Sequence, residues 1–332
     1  MRALILAPFA DRSLARLRRL GAVTYESWTE TGRIHDPAEL GARIAAIGAD
    51  VLVVEADFVF EELFEAAPDL RLVGVCRNAL NQIDIESATD HGVVVTHARG
   101  RNTNAVAELT LGLMFALARQ IPRAHALVAG GGWRDPVAGY RTLRGTEIAG
   151  STVGVIGCGQ IGRAVTRKCV ALGARVLAYD PLVPPRRLRA IGATPAPLAG
   201  LARASDWVTL HVPADEGTAG LIDAAFLGRM RRTAYVINTS GGSVVDTGAL
   251  VAALSSGRIA GAALDVFDGQ PLPLSSPLLS APNVILTPHI GGATAETVAR
   301  QSRMMTGEIE RLLTGRRLRY AVNPEVDPAR VR

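Results

Sequence analysis

Residues 151–180 read STVGVIGCGQIGRAVTRKCVALGARVLAYD, and this stretch decides the fold. A short apolar run precedes three glycines, Gly157, Gly159 and Gly162, which have the spacing G-x-G-x-x-G. A segment compatible with a helix follows, and then a second apolar run that ends on Asp180, eighteen residues after Gly162. The order strand, tight turn, helix, strand and acid predicts a βαβ unit that binds a dinucleotide.

Each glycine has its own physical reason in that prediction. Gly157 permits the sharp turn, Gly159 lets the backbone approach a pyrophosphate, and Gly162 lets the helix pack on the strand. The helix begins near Gln160 and Ile161, where unpaired backbone N–H groups and the positive end of the helix dipole favour a phosphate.

Asp180 selects the cofactor. Its carboxylate would accept hydrogen bonds from a ribose 2′-hydroxyl and repel a 2′-phosphate, so NAD is favoured over NADP. A plainer interpretation, a glycine-rich turn in an ordinary α/β domain, stays open for this stretch taken alone.

The composition excludes several classes of protein. The chain has 332 residues, 48% of them hydrophobic, which is enough for two domains with sizeable cores. No uninterrupted apolar stretch is long enough to span a membrane, and the apolar run within 1–8 is too short for a signal peptide and predicts a first strand. The net charge of +5 comes from dispersed arginines, which does not favour nucleic-acid binding. Three scattered cysteines lack metal-site spacing, so we expect no metal and a reducing cytoplasm.

The elements alternate along the chain. Apolar runs and helical periodicity alternate over 1–98, and again from about residue 148 to residue 291, which predicts two parallel sheets covered by helices. Long helical segments at 105–119 and 293–314 flank the second unit, whereas 130–146 has the composition of a surface loop. This order predicts that the second unit is inserted into the first and that a ligand binds in a cleft between them.

Further motifs extend across nearly the whole chain. They are LHVP at 210–213 with Thr218, VINTSGGSVVD at 236–246, GAALDVFDGQP at 261–271, TPHIGGAT at 287–294 and VNPEV at 322–326. With these motifs the chain resembles the D-isomer-specific 2-hydroxyacid dehydrogenases, which include phosphoglycerate dehydrogenase, hydroxypyruvate reductase and NAD-dependent formate dehydrogenase.

The resemblance implies an α/β fold of two doubly wound parallel-sheet domains. A Rossmann NAD-binding domain at 100–291 would be inserted into a flavodoxin-like substrate domain built from 1–99 and 292–332. The resemblance also implies a homodimer that uses the region around the inter-domain helices, and a small-molecule substrate.

Hydride transfer in this family between nicotinamide and a 2-oxo or 2-hydroxy acid uses three side chains. A histidine exchanges a proton with the substrate oxygen, a carboxylate beside it raises the pKa of that histidine, and an arginine holds the substrate through its planar fork. His289 matches the histidine, but Gly241 stands at the arginine position and Gln270 at the acid position. Asp268 lies two residues before Gln270 and would need a shifted loop to replace the acid.

These two departures have physical consequences. Gly241 cannot clamp a carboxylate. Gln270 can hydrogen-bond His289 and fix its tautomer, but it cannot stabilise an imidazolium as an anion would. A histidine–glutamine pair is what formate dehydrogenases of this family have, although they keep the arginine.

Another cation would then have to hold an acidic substrate. The family's substrate loop maps onto Arg77, Asn78 and Ala79, and Asn102 matches an asparagine that lines the site in relatives. Arg99 and Arg101 flank the same region and are further candidates. The acidic stretch 54–57 (VEAD) argues against a phosphorylated substrate.

The remaining family positions predict the cofactor contacts. Predicted cofactor-binding residues are Gly157, Gly159, Gln160, Ile161, Gly162, Asp180, His211, Val212, Pro213, Thr218, Asn238, Thr239, Ser240, Gly241, Asp265, His289 and Gly291. Among them, Asp265 would bond the nicotinamide carboxamide or act as an ordinary strand-end cap.

Three functions stay open on the sequence. The first is an NAD-dependent oxidoreductase for a small, acidic 2-oxo or 2-hydroxy compound, with His289 and Gln270 as its catalytic pair. The second is an NAD(H)-binding protein with little dehydrogenase activity, used for sensing or scaffolding. The third is a changed reaction, such as a proton-free hydride transfer like that of formate or a redox-neutral reaction with bound NAD.

Overall fold

The computed structural model describes residues 1–326, and the chain forms two compact units. The first unit contains residues 1–101 and the segment from residue 293 onward, and the second contains 102–292. The predicted boundaries were 99/100 and 291/292, so the observed units change over within two residues of them. Asn102, predicted beside Arg77, therefore belongs to the second unit.

Residues 1–326 contain twelve strands, fourteen α-helices and three short 3-10 helices. The strands are β1 (Arg2–Ile5), β2 (Ala22–Tyr25), β3 (Val51–Val54), β4 (Leu72–Val75), β5 (Val94–His97), β6 (Thr152–Ile156), β7 (Arg175–Tyr179), β8 (Ala193–Pro195), β9 (Trp207–Leu210), β10 (Tyr235–Asn238), β11 (Gly261–Leu264) and β12 (Val284–Leu286). The helices are α1 (Asp11–Arg18), α2 (Trp28–Thr31), α3 (Pro37–Ile47), α4 (Glu61–Ala66), α5 (Ile85–Asp90), α6 (Thr103–Ala118), α7 (Ile121–Ala129), α8 (Pro136–Thr142), α9 (Gln160–Ala171), α10 (Pro185–Arg189), α11 (Leu198–Ala204), α12 (Ala224–Arg229), α13 (Thr247–Ser255) and α14 (Ala295–Leu313).

The first unit is a five-stranded parallel sheet in the order β2-β1-β3-β4-β5. This is the flavodoxin-like order 2-1-3-4-5. All residues of β3 and β4 are buried, which explains their unbroken runs of aliphatic residues. The last described segment returns to this sheet, where the side chain of Asn323 accepts from the Val95 N–H at 2.8 Å and donates to the Val93 carbonyl at 3.0 Å.

The second unit is a seven-stranded parallel sheet in the order β12-β11-β10-β9-β6-β7-β8. Numbered within the unit, the strands run 7-6-5-4-1-2-3, which is the Rossmann order with one added strand. The strand order reverses between β6 and β9, and in open parallel sheets ligands bind at the carboxyl ends of the strands at such a point. The predicted fold class is confirmed.

The segment between α6 and β6 departs from the prediction of a surface loop at 130–146. It contains α8, which begins with Pro136 at its first position and whose Asp135 side chain accepts the Val137 N–H at 2.8 Å. Neither α7 nor α8 has a buried residue. Large apolar side chains are instead exposed along this segment, namely Ile121, Val128, Trp133, Val137 and Tyr140.

Within residues 1–326, no single helix is long and apolar enough to cross a membrane, whereas the bent pair α6 and α7 together has the length and composition to do so. Within the same range there is no group of three or more histidine, cysteine, aspartate or glutamate side chains that could hold a metal ion.

Candidate active site

The glycine turn follows β6 and has the geometry that its sequence predicts. Gly157 has φ +87°, and a Cβ there would lie 2.6 Å from the backbone carbonyl of His211. A Cβ on Gly162 would lie 1.9 Å from the Gly157 oxygen, so neither position accepts a side chain. A Cβ on Gly159, in contrast, would meet nothing within 4 Å, which leaves open space beside the backbone. The turn therefore provides the close backbone approach that a pyrophosphate requires.

Helix α9 begins directly at this open space. Gly159 precedes the helix and no side chain caps its first turn, so the backbone N–H groups there remain available to an anion. The side chain of Gln160 accepts from the Thr103 hydroxyl at 3.2 Å, which turns it toward α6. This end of the second unit fits the phosphates of a dinucleotide.

Asp180 lies at the end of β7 and is oriented by two backbone groups. Its Oδ2 accepts the Cys158 N–H at 2.7 Å, and its Oδ1 accepts the Leu182 N–H at 2.8 Å. Each oxygen keeps a free lone pair for a ribose hydroxyl. Asp180 also lines a cavity of about 500 Å³ formed by residues 178–185, 188 and 195–197. Burial, with the Asp180 charge second, raises the pKa of the Cys158 thiol to about 12, so this thiol is protonated and unreactive at neutral pH.

The segment after β9 is tied together by its own hydrogen bonds. His211 Nε2 lies 3.0 Å from the Thr209 hydroxyl, while its buried Nδ1 has no partner within residues 1–326. Burial lowers the pKa of His211 to about 3, so the ring is neutral. Thr218 donates to the Pro213 carbonyl at 2.5 Å and accepts the Asp215 N–H at 3.1 Å, which closes the loop that also carries Val212.

In the turn after β10, the polar side chains form hydrogen bonds with other groups of the protein. Asn238 donates to the Gly241 carbonyl at 2.8 Å and accepts from both the N–H and the hydroxyl of Ser240 at 3.0 Å. The buried Thr239 hydroxyl lies 3.0 Å from that of Thr110 on α6. Asn238, Thr239 and Ser240 were predicted to lie beneath the nicotinamide, which stays a prediction; in the structure their hydrogen bonds hold the turn in shape.

Gly241 is crowded, which the sequence did not indicate. A Cβ on Gly241 would lie 2.4 Å from the Cβ of Ala214, in the loop after β9. A Cβ on the next residue, Gly242, would lie 1.9 Å from the carbonyl carbon of Phe267. The turn therefore packs directly on two neighbouring loops, and no side chain at position 241 fits unless Ala214 moves.

His289 and Gln270 form the predicted pair. The Nδ1 atom of His289 lies 2.7 Å from the Oε1 atom of Gln270, and Gln270 Nε2 donates to the Phe267 carbonyl at 3.3 Å. The Phe267 carbonyl fixes the amide orientation, since the flipped amide would place two oxygens together. Nδ1 therefore carries the proton, and Nε2 is left to face a reacting group. Both side chains are exposed. Asp268 has no recorded contact with His289.

Asp265 holds the loop that carries His289. Its buried carboxylate accepts the Thr287 hydroxyl at 2.6 Å, the Ile290 N–H at 2.9 Å and the Gly291 N–H at 2.8 Å. His289 itself has φ +55°, a left-handed conformation that a histidine adopts only when its surroundings fix it. These bonds use three of the roughly four acceptor positions of Asp265, and its bond to the nicotinamide carboxamide stays a prediction.

In the first unit, the candidate cations differ in how far they are engaged. Arg101 is paired with Glu55 and also donates to Gln301. The half-buried Arg77 has no hydrogen bond or ion pair to any residue within 1–326, and burial lowers the pKa of its guanidinium. The backbone carbonyl oxygen of Asn78 lies 3.3 Å from Nδ1 of the His97 ring. Asn78 and Ala79 are both exposed. Arg77 is therefore available to a ligand, as is the exposed Arg99, whose side chain has no hydrogen bond or ion pair within 1–326.

The two carboxylates of the acidic stretch near the end of β3 have partners inside the first unit. Glu55 is paired with Arg101, and the buried Asp57 accepts from the His35 N–H at 3.0 Å and lies 2.9 Å from the His35 ring. The charge of this stretch was expected to argue against a phosphorylated substrate. That expectation stays a prediction, although both carboxylates are engaged by neighbouring groups.

Three comparisons with known proteins bear on this chain. Residues 111–291 match the family model described as D-isomer specific 2-hydroxyacid dehydrogenase, NAD binding domain. A D-3-phosphoglycerate dehydrogenase of Archaeoglobus fulgidus is 34% identical over 99% of this chain and 60% of its own length. A glyoxylate reductase of Thermofilum pendens is 39% identical over 83% of this chain and 81% of its own length.

A solved structure agrees with these matches. The NAD complexed form of a D-isomer specific 2-hydroxyacid dehydrogenase from Lactobacillus delbrueckii superposes with a TM-score of 0.79 at 25% identity, covering 97% of this chain and 100% of that one. The chain spans about 60% of the phosphoglycerate dehydrogenase that it matches, so substrate and partners do not transfer from that relative. The family, its oxidoreductase class and its cofactor NAD are confirmed. The chain belongs to the D-isomer-specific 2-hydroxyacid dehydrogenase family.

Proposed function

We propose that this protein is an NAD-dependent oxidoreductase that interconverts a small, acidic 2-oxo compound and its 2-hydroxy form through a non-standard active site. The observation that carries the proposal is the 2.7 Å contact between His289 Nδ1 and Gln270 Oε1. It leaves Nε2 of the same ring as the atom that exchanges a proton.

NADH, when bound, supplies the hydride. In the reductive direction the carbonyl carbon gains the hydride, the π electrons of the C=O bond move to oxygen, and a proton from His289 Nε2 goes to that oxygen. The oxidative direction returns the proton to Nε2. Gln270 holds the ring in one tautomer throughout, and Asp265 holds the loop on which the ring is carried.

Gln270 sets a limit on this chemistry. Its neutral amide does not stabilise the imidazolium as a carboxylate would. We expect reduction to be faster at lower pH for this reason. If Nε2 is not needed, the alternative is a proton-free hydride transfer of the formate type.

Arg77 is the proposed holder of an acidic substrate. In its support, the guanidinium lacks a partner in the described chain, whereas Glu55 and Gln301 occupy Arg101. The planar fork of an arginine matches a carboxylate. Replacing Arg77 with glutamine should raise KM for the substrate and leave NADH binding unchanged.

A second candidate function is an NAD(H)-binding protein with little dehydrogenase activity. The crowding of Gly241 by Ala214 favours it, because no side chain at position 241 can hold substrate in this arrangement. NAD binding would then serve sensing or scaffolding.

One set of measurements distinguishes the two candidate functions. NADH binding is followed by fluorescence, and turnover is screened with 2-oxo acids at several pH values for the parent protein, His289→Ala and a control, His91→Ala. His91 lies in the first unit, where its ring contacts the Ser87 carbonyl. Turnover lost only in His289→Ala supports the dehydrogenase, and tight NADH binding with no turnover on any 2-oxo acid supports the second candidate.

We also propose a homodimer formed through α7 and α8. These helices bury none of their residues and expose Ile121, Val128, Val137 and Tyr140. Large apolar side chains exposed on successive helices are typical of an interface. Val128→Asp combined with Val137→Asp should halve the mass measured by light scattering, and an unchanged mass would contradict the proposal.

A further inference from the structure

The first unit contains a wide cavity beside α1 and α14 that the proposed reaction does not use. Its volume is about 710 Å³, within the range of small-molecule sites. Six arginines line it, namely Arg16, Arg300, Arg303, Arg311, Arg316 and Arg319. Glu308 and Glu310 are the acidic residues of the lining, so positive charge dominates the cavity.

Three of these arginines are committed to the wall of the cavity. Arg16 forms a two-pronged ion pair with Glu310, with Nη2 at 2.7 Å from Oε2. Arg300 Nε donates to the Arg101 carbonyl at 2.6 Å, and Arg311 Nε donates to the Arg317 carbonyl at 2.6 Å. These bonds connect α14 to α1 and to the segment that follows α14.

The other three arginines are free to bind a ligand. The guanidinium groups of Arg303, Arg316 and Arg319 are exposed, and none has a hydrogen bond or ion pair to a residue of the described chain. Since a guanidinium stays charged, the cavity holds three positive charges that form no ion pair with an acidic residue of 1–326.

Glu308 forms no ion pair with any of these three arginines, and its side chain is buried. It is 1% exposed and accepts the backbone N–H groups of Arg319 at 2.8 Å and Tyr320 at 3.0 Å. These bonds fix the backbone that carries Arg319. The buried carboxylate thus positions one wall of the cavity.

Gly307 lines the cavity from the interior of α14. A Cβ there would meet nothing within 4 Å, so no contact in the described chain requires a glycine. Glycine is unfavourable inside a helix, where alanine would be preferred. The missing side chain keeps the space above the helix open.

We propose that this cavity binds a small multivalent anion that carries phosphoryl groups. Several free guanidinium forks around one space suit phosphoryl oxygens, which accept paired hydrogen bonds from them. One carboxylate could accept paired hydrogen bonds from only one of the three guanidinium groups. The site lies in the first unit and is separate from the glycine turn, which lies in the second unit.

Tripolyphosphate is the probe for the test. It is titrated calorimetrically into the full-length protein with NAD held at saturation, in roughly 150 mM sodium chloride, where the screening length is about 8 Å. The test variant is Arg303→Gln with Arg316→Gln. The control variant is Arg71→Gln with Arg232→Gln, which removes the same charge from two exposed arginines outside the cavity.

The expected result is saturable binding with one site per chain, weakened about tenfold or more in the test variant and unchanged in the control. Gly307→Trp should block binding while Gly307→Ala keeps it, and both should melt cooperatively. The proposal is overturned if the parent protein shows no saturable binding with NAD present. Equal loss in the two double variants would also overturn it, because binding would then follow net charge alone.

Discussion

The Nδ1 atom of His289 lies 2.7 Å from the Oε1 atom of Gln270, and the other end of the Gln270 amide is held by the Phe267 carbonyl. This contact joins two loops that follow neighbouring strands, β11 and β12. It makes the imidazole a single tautomer with Nε2 unprotonated in the neutral form. The uncharged partner defines how this site should respond to pH.

Gln270→Glu should move the pH dependence of reduction upward. An anion beside His289 favours the imidazolium, so the proton donor would persist to higher pH, by roughly one pH unit for a close ion pair. The measurement is kcat against pH with a 2-oxo acid and NADH. Asp268→Asn serves as the control and should leave the midpoint in place. An unshifted midpoint in Gln270→Glu would show that His289 does not donate the proton.

His289→Ala should lower turnover by roughly 10²- to 10⁴-fold, the range for loss of a general acid–base group. NADH affinity should change little, because the ring is held by Gln270 and the loop by Asp265. Stopped-flow turnover and fluorescence titration report the two quantities separately. Turnover equal to that of the parent protein would exclude the role assigned to this histidine.

Gly241→Arg alone should destabilise the protein. A Cβ at this position would lie 2.4 Å from the Ala214 Cβ, and such overpacking costs about 1–3 kcal/mol. Adding Ala214→Gly should recover much of the loss. If the pocket is otherwise ordinary, the further change Gln270→Glu in that background should raise activity on simple 2-oxo acids. Urea denaturation gives the stabilities, and equal stability of the single and double variants would contradict the clash.

Asp180→Ala should weaken NAD binding by about tenfold or more, since hydrogen bonds to a charged group contribute about 1.5–3 kcal/mol. It also removes the acceptor of the Cys158 and Leu182 N–H groups, so the turn itself should loosen. Asp180→Asn loses the charge but keeps an oxygen for one of these two N–H groups, so the turn should loosen less than in Asp180→Ala. Both variants remove the negative charge that repels a 2′-phosphate, so both should bind NADPH. The prediction fails if both variants reject NADPH as the parent protein does.

His211 should make the protein less stable in acid. Its folded pKa of about 3 lies below the ordinary value of 6.5, so between these values the unfolded chain binds the proton and the folded chain does not. Stability therefore falls as pH drops below 6.5, by at most about 1.4 kcal/mol per pH unit from this group. His211→Gln should flatten that part of the curve, whereas the exposed control His125→Gln should not. Unfolding free energies from urea titrations at several pH values test it.

The sequence was most informative where the structure depends on a few neighbouring residues. The turn at Gly157 needs a positive φ, and the spacing to Gly162 sets how the helix meets the strand. The pairing of His289 with Gln270 was predicted from motif positions. It could be predicted because parallel strands bring their carboxyl ends to one edge of the sheet.

Prediction from the sequence failed where the residues of an element are only partly buried, or where glycine and proline dominate the local composition. Strand β2 was missed because its residues are exposed or half-buried at the edge of the sheet and form no apolar run. Helix α8 was taken for a loop because glycines precede it and Pro136 opens it. In both cases the local pattern lacked the burial periodicity on which the prediction depends.

By itself, the sequence determined the two-unit α/β fold, the family and the dinucleotide turn, because these follow from periodicity and short-range spacing. Only the tertiary structure decided that Ala214 occupies the space beside Gly241, that Arg101 is engaged while Arg77 is free, and that Asp265 holds the His289 loop. Each of these depends on segments distant in the chain that meet at one point. Steric contact and ion pairing act over a few ångströms, so such contacts can be identified only when the tertiary structure shows how far apart the two groups lie.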